Sequence, residues 1–122
     1  MLDIIKENLV FILDSIDIIS DRIQKLKNAD DLVTSADGVT ILDSLAMRLQ
    51  SIGETVKQIE KRDRALLQKY PDTDWQQIIR MRDLISHHYE DIDHEIVYNL
   101  CNTHLPQLRS TIKKIITDLN KK

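Results

Sequence analysis

Leu2, Ile5, Leu9, Ile12, Leu13, Ile16, Ile19, Ile23 and Leu26 recur at steps of three and four residues. That spacing predicts an amphipathic helix of about seven turns, with Asp14, Asp17, Asp21 and Lys25 on its outer face. Ile4, Val10, Phe11 and Ile18 widen the apolar stripe and predict contact on two sides. The polar stretch from Asn28 to Gly38 reads as a turn, with Gly38 as the breaker. A second stripe follows through Ile41, Leu42, Leu45, Leu49, Ile52, Val56 and Ile59, continuing weakly to Leu66 and Leu67. Gly53 interrupts it at a cost of about 1 kcal/mol relative to alanine, which implies that another helix passes close by. The alternating charges Lys61-Arg62-Asp63-Arg64 read as a solvated face.

Pro71 disfavours helical geometry at Tyr70, so the second segment ends there, and Asp72 or Thr73 is expected to cap the next one. A third helix opens at Asp74-Trp75 and runs through Ile78, Ile79, Met81 and Ile85. The fourth uses Ile92, Ile96, Val97, Leu100, Leu105, Leu108, Ile112, Ile115, Ile116 and Leu119, with a kink expected near His104-Leu105 because of Pro106. Lys113, Lys114, Lys121 and Lys122 put positive charge toward its C-terminus, where the helix dipole favours it. The pattern predicts one all-α domain over residues 1–122, an antiparallel bundle of four or five helices.

Composition narrows the class. Two Gly and two Pro leave little material for hairpins, and 30% charged with 42% hydrophobic residues excludes disorder and membrane embedding. Cys101 is the single cysteine, expected as a small buried apolar residue, and it makes a reducing cytoplasm the natural location. The acidic N-terminus does not resemble a signal peptide, and no membrane association is expected. A net charge of −3 opposes non-specific nucleic-acid binding over the whole surface but leaves room for a small basic site.

Candidate chemistry is concentrated in Arg82-Asp83-Leu84-Ile85-Ser86-His87-His88-Tyr89. At about 100° per residue, Arg82 shares a face with Tyr89 and Asp83 with His87, whereas Arg82 and His87 stand roughly 140° apart. Joint action of Arg82 and His87 therefore requires a long reach, a distorted helix or two subunits. Asp83 can accept a hydrogen bond from His87, fixing its tautomer and raising the basicity of the other nitrogen. Arg82 offers a planar fork suited to phosphate oxygens. Arginine, histidine and a tyrosine hydroxyl suffice to cleave RNA through its own 2′-hydroxyl without a metal. That reaction wants both a base and an acid, so one catalytic histidine per chain predicts a two-fold dimer. Residue chemistry leaves a plainer reading open, in which Arg82 pairs with a neighbouring acid while His87 and Tyr89 fill the bundle edge. His87, His88, Asp91 and His94 have metal-compatible spacing, but no dedicated metal site is expected.

The stretch from Trp75 to Asp93 resembles the signature of the HepT-like proteins of the HEPN superfamily: Trp, then Arg-x4-His-x-Tyr, then Ile-Asp. Leu49-Gln50-Ser51-Ile52-Gly53-Glu54 is similar to the family's Leu-x-x-Ile-Gly-Glu segment, and Leu105-Pro106-Gln107-Leu108 to its Leu-Pro-x-Leu. The resemblance implies a helical bundle dimerising through the bundle, and a metal-independent endoribonuclease acting as toxin in a type VII-like toxin–antitoxin pair, with no cofactor. It implies Arg82 and His87 as the catalytic pair; Asp83 is expected to orient His87, and Trp75, His88 and Asp93 to support them. Tyr89 matches the tyrosine to which a minimal nucleotidyltransferase antitoxin transfers AMP, silencing the toxin. The family often has Asn where this chain has Asp83, whose charge repels RNA unless it is spent on His87. The alternative is a non-catalytic binding partner of such a nucleotidyltransferase.

Overall fold

In the computed structural model, which describes residues 2–87 and 92–121 (only the backbone of Ser86 and His87), the chain forms an antiparallel helical bundle with no strand among those residues. The helices are α1 (Leu2–Ile23), α2 (Ala36–Arg62), α3 (Arg64–Gln68), α4 (Trp75–His87), α5 (His94–Asn99) and α6 (Leu105–Asn120). The four expected stripes map onto α1, α2 with α3, α4, and the α5–α6 segment.

The core is the sum of the periodic faces. Leu9 and Ile12 of α1, Leu45, Leu49 and Ile52 of α2, and Ile112 and Ile115 of α6 are wholly buried. The outer α1 residues Asp14, Asp17 and Asp21 are exposed as expected, while Lys25 and Leu26 lie beyond the helix end. The second-side contact expected for α1 is not made among the described residues, where Ile4, Val10 and Phe11 remain exposed.

The polar stretch after α1 contains more than a turn. A 3-10 helix, Ala29–Leu32, is held by a capping box between Asn28 and Asp31 and buries Leu32 completely. Gly38 is not the breaker; it is a buried residue in the first turn of α2, whose N-cap Ser35 Oγ accepts the Gly38 N–H at 2.9 Å. A β-carbon there would stand 1.9 Å from the Asp31 carbonyl oxygen, so close packing of the 3-10 helix dictates glycine.

Asp63 divides the second stripe. It ends α2 and accepts the Leu66 N–H of α3 at 3.2 Å, and the charged run Lys61 to Arg64 is exposed as expected. Asp74 caps α4, in place of the expected Asp72 or Thr73, by accepting the Gln77 N–H at 3.0 Å. The expected kink in the last segment takes the form of a π-turn, Leu100–His104, closed by a bond from the Leu105 N–H to the Leu100 carbonyl. Pro106, which has no N–H to give to the preceding turn, then occupies the start of α6. Cys101 sits buried in that turn, and burial pushes its thiol up to about 12. No helix among the described residues is long and apolar enough to cross a membrane.

Candidate functional site

Arg82 is placed by the crossing of α2 and α4, the most extensive helix pairing in the chain. Gly53 sits at the crossing point. A β-carbon added there would lie 2.8 Å from the Arg82 β-carbon and 2.9 Å from the Ile78 carbonyl oxygen. The close neighbour that Gly53 implied is thus α4, at the arginine itself.

The next α2 residue, Glu54, takes the arginine's inner nitrogen: Arg82 Nε lies 2.6 Å from Glu54 Oε2. Arg82 Nη1 stands 3.3 Å from Asp83 Oδ1, a longer contact made by a half-exposed carboxylate. Arg82 therefore does pair with acids, as the plainer reading had it, and through two of them. Its side chain is 29% exposed, so the guanidinium remains reachable from solvent. Asp83 is engaged with Arg82 among the described residues. The His87 side chain, His88, Tyr89 and Asp91 lie outside the described residues, and with them the expected Asp83–His87 bond.

The supporting residues have definite structural tasks. Trp75 is buried, and its indole Nε1 donates to the carbonyls of Leu67 and Tyr70, both at 3.1 Å. It thereby locks the α3–α4 connection that sets where α4 begins. Asp93 caps α5, accepting the N–H groups of Glu95 at 2.9 Å and Ile96 at 3.4 Å. The start of α4 and the start of α5 are thus each fixed by a side chain.

Beyond the capped helix, His94 Nε2 lies 3.1 Å from Asp30 Oδ1, tying α5 to the 3-10 helix. Donor atoms of Asp30, His94 and Glu95 fall within 4.8 Å of one another. Of the four residues with metal-compatible spacing in the sequence, His94 falls in this group, and the side chains of His87, His88 and Asp91 lie outside the described residues.

On the other side of α4 a cleft of about 980 Å³ opens between α4 and the α5–α6 segment. Met81, Leu84, Ile96, Leu100 and Leu108 line it, with Asp83 and Arg80 among the polar residues at its walls. Leu84 and Ile96 are each 50% exposed. One face of α4 thus carries Arg82 toward α2, while the adjacent face is largely apolar and, among the described residues, uncovered. Residue chemistry in the sequence located the motif but missed Glu54 as the partner of Arg82. The signal was present in the Ile52-Gly53-Glu54 segment, whose glycine implied a close helix.

Comparison with known proteins extends this picture. The sequence model of the family described as ribonuclease HepT-like matches residues 12–115. A Methanocaldococcus jannaschii protein named "Gamma-glutamylcyclotransferase and putative RNase MJ0434" is 30% identical over 117 residues, covering 96% of this chain and 50% of that protein. A second from the same organism, "Putative RNase MJ0127", is 28% identical over 103 residues, covering 77% of this chain and 83% of that protein. A third, "Putative RNase TTE0752" of Caldanaerobacter subterraneus, is 32% identical over 68 residues, 56% of this chain and 58% of that protein. The chain thus spans half the length of the first of these relatives. No solved structure gives a significant match.

Proposed function

The chain belongs to the ribonuclease HepT-like family, and on that premise we propose that it is an endoribonuclease that cleaves RNA through the substrate's own 2′-hydroxyl. The observation that carries this reading is the fixed, solvent-reachable Arg82 guanidinium on α4, five residues before His87 in the matched region.

In the reaction, a neutral His87 takes the 2′-hydroxyl proton as that oxygen attacks phosphorus. The bond from phosphorus to the 5′-oxygen breaks, and a protonated histidine returns a proton to the leaving oxygen. The products are a 2′,3′-cyclic phosphate and a 5′-hydroxyl. Arg82 stabilises the negative charge that grows on the phosphoryl oxygens. A second copy of the chain supplies the second histidine, and the exposed apolar cleft beside the motif supports such a dimer.

Within this reading the protein is the toxin of a toxin–antitoxin pair in the cytoplasm. A minimal nucleotidyltransferase silences it by transferring AMP to Tyr89, adding bulk and negative charge that exclude RNA. The two carboxylates on Arg82 favour one rival, a non-catalytic binding partner of the nucleotidyltransferase, because they lower the positive potential that RNA meets. RNA cleavage and growth inhibition by the wild type and by His87→Ala separate the two. Cleavage lost in the variant supports the nuclease, and no cleavage by either leaves the binding partner. Intact mass after co-expression with the nucleotidyltransferase, repeated on Tyr89→Phe, tests the silencing step.

A further inference from the structure

The Ile52-Gly53-Glu54 segment takes no part in the chemistry above, yet it meets Arg82 at both its β-carbon and its guanidinium. We propose that Glu54 is a positioning residue that clamps Arg82 by its inner nitrogen and leaves the outer edge of the guanidinium for a phosphoryl group. This rests on the ribonuclease reading of the same site.

Three features of the geometry carry it. The guanidinium has five N–H donors and no acceptor. Glu54 engages Nε at 2.6 Å and Asp83 engages Nη1 at 3.3 Å, while Nη2 has no partner among the described residues. An incoming phosphate that docks on the outer edge therefore competes with Asp83, whose contact is the longer one, and can leave the Glu54 contact intact. The order of strength matches what a positioning acid requires.

The second feature is the approach of the helices. With α2 and α4 close enough at Gly53 to exclude a β-carbon, the carboxylate of the adjacent Glu54 meets the base of the guanidinium. Grip at Nε restricts the arginine's torsions before substrate arrives, and orientation of this kind accelerates the chemical step. The third feature is charge. A phosphodiester that displaces Asp83 trades one negative charge beside the guanidinium for another, so Glu54 remains the counter-ion of Arg82 throughout.

The test compares full-length wild type, Glu54→Ala, Glu54→Gln, Arg82→Ala and the double variant Glu54→Ala/Arg82→Ala in RNA-cleavage kinetics. Thermal unfolding of each variant is measured alongside. Glu54→Ala should lower kcat about ten- to a hundredfold through misplacement of Arg82, with KM held within about twofold. Glu54→Gln, which keeps an oxygen acceptor at the same reach, should recover most of the loss. In the Arg82→Ala background the Glu54 change should cost nothing further, because the coupled partner is gone. The same loss in both backgrounds, or no loss in either, overturns the proposal.

A readout independent of cleavage is the Arg82 Nε–H resonance, assigned through Arg82→Lys. It should be protected from water exchange in the wild type and lose that protection in Glu54→Ala. Protection unchanged in Glu54→Ala overturns the clamp alone. A protected resonance in a wild-type protein that cleaves no RNA overturns the ribonuclease reading, and the positioning role with it.

Discussion

Gly53 of α2 and Arg82 of α4 meet so closely that a β-carbon on the glycine would stand 2.8 Å from that of the arginine. The contact joins two sequence segments that look unrelated, and it makes the approach of the helices part of how the arginine is held. Alanine at 53 gains helix propensity worth about 1 kcal/mol. It also strikes the Ile78 carbonyl oxygen at 2.9 Å, which cannot yield without shifting α4. Gly53→Ala should therefore be destabilised by up to about 2 kcal/mol net of propensity, measured by urea unfolding, and should lose RNA cleavage beyond what its stability explains.

Gly38→Ala should be worse. The added carbon would lie 1.9 Å from the Asp31 carbonyl oxygen, in a 3-10 helix already fixed by its capping box. A loss at the upper end of the overpacking range, about 3 kcal/mol, is expected in the same denaturation measurement. Equal stability of the two glycine variants would contradict this account.

Trp75→Phe keeps a smaller aromatic ring and removes the donor shared by the Leu67 and Tyr70 carbonyls. Both oxygens keep a backbone partner, since Tyr70 N–H bonds to Leu67 O and Thr73 N–H to Tyr70 O. The lost hydrogen bonds should thus cost about 1 kcal/mol, short of an orphaned buried group, and the cavity left by the smaller ring adds about 1 kcal/mol or more. Chemical denaturation monitored by circular dichroism measures it.

Tyr70 donates its hydroxyl to Asp118 Oδ2 at 2.6 Å. Desolvation, and then the Asp118 carboxylate, raise the phenol from 10.0 to about 12. The proton is held more tightly in the folded state, so this stabilisation is complete below the unfolded value of 10.0 and is lost as pH rises to about 12. Stability measured up the alkaline limb should fall across that window in the wild type, and this component should be absent in Tyr70→Phe.

Cys101 should be inert toward a thiol reagent in the native protein at neutral pH and should react at once after unfolding. Burial both shields the sulfur and lifts its ionisation to about 12, which leaves almost no thiolate. Fast labelling of native protein would show that the π-turn opens readily.

The apolar periodicity of this chain determined its four main helical segments and their buried faces, because a stripe at helical spacing can be buried in one way only, and Pro106 marked the break before it. Local chemistry also located the Arg82 motif and predicted a close helix at Gly53. The tertiary structure decided the rest. It chose α4 as that helix and paired Glu54 with Arg82, residues 28 positions apart in the chain. It folded the polar stretch after α1 into a 3-10 helix that buries Leu32, and it made Gly38 a packing residue. Periodicity fixes which face of a helix turns inward. The partner that face meets, and how closely, depends on the packing of the whole bundle.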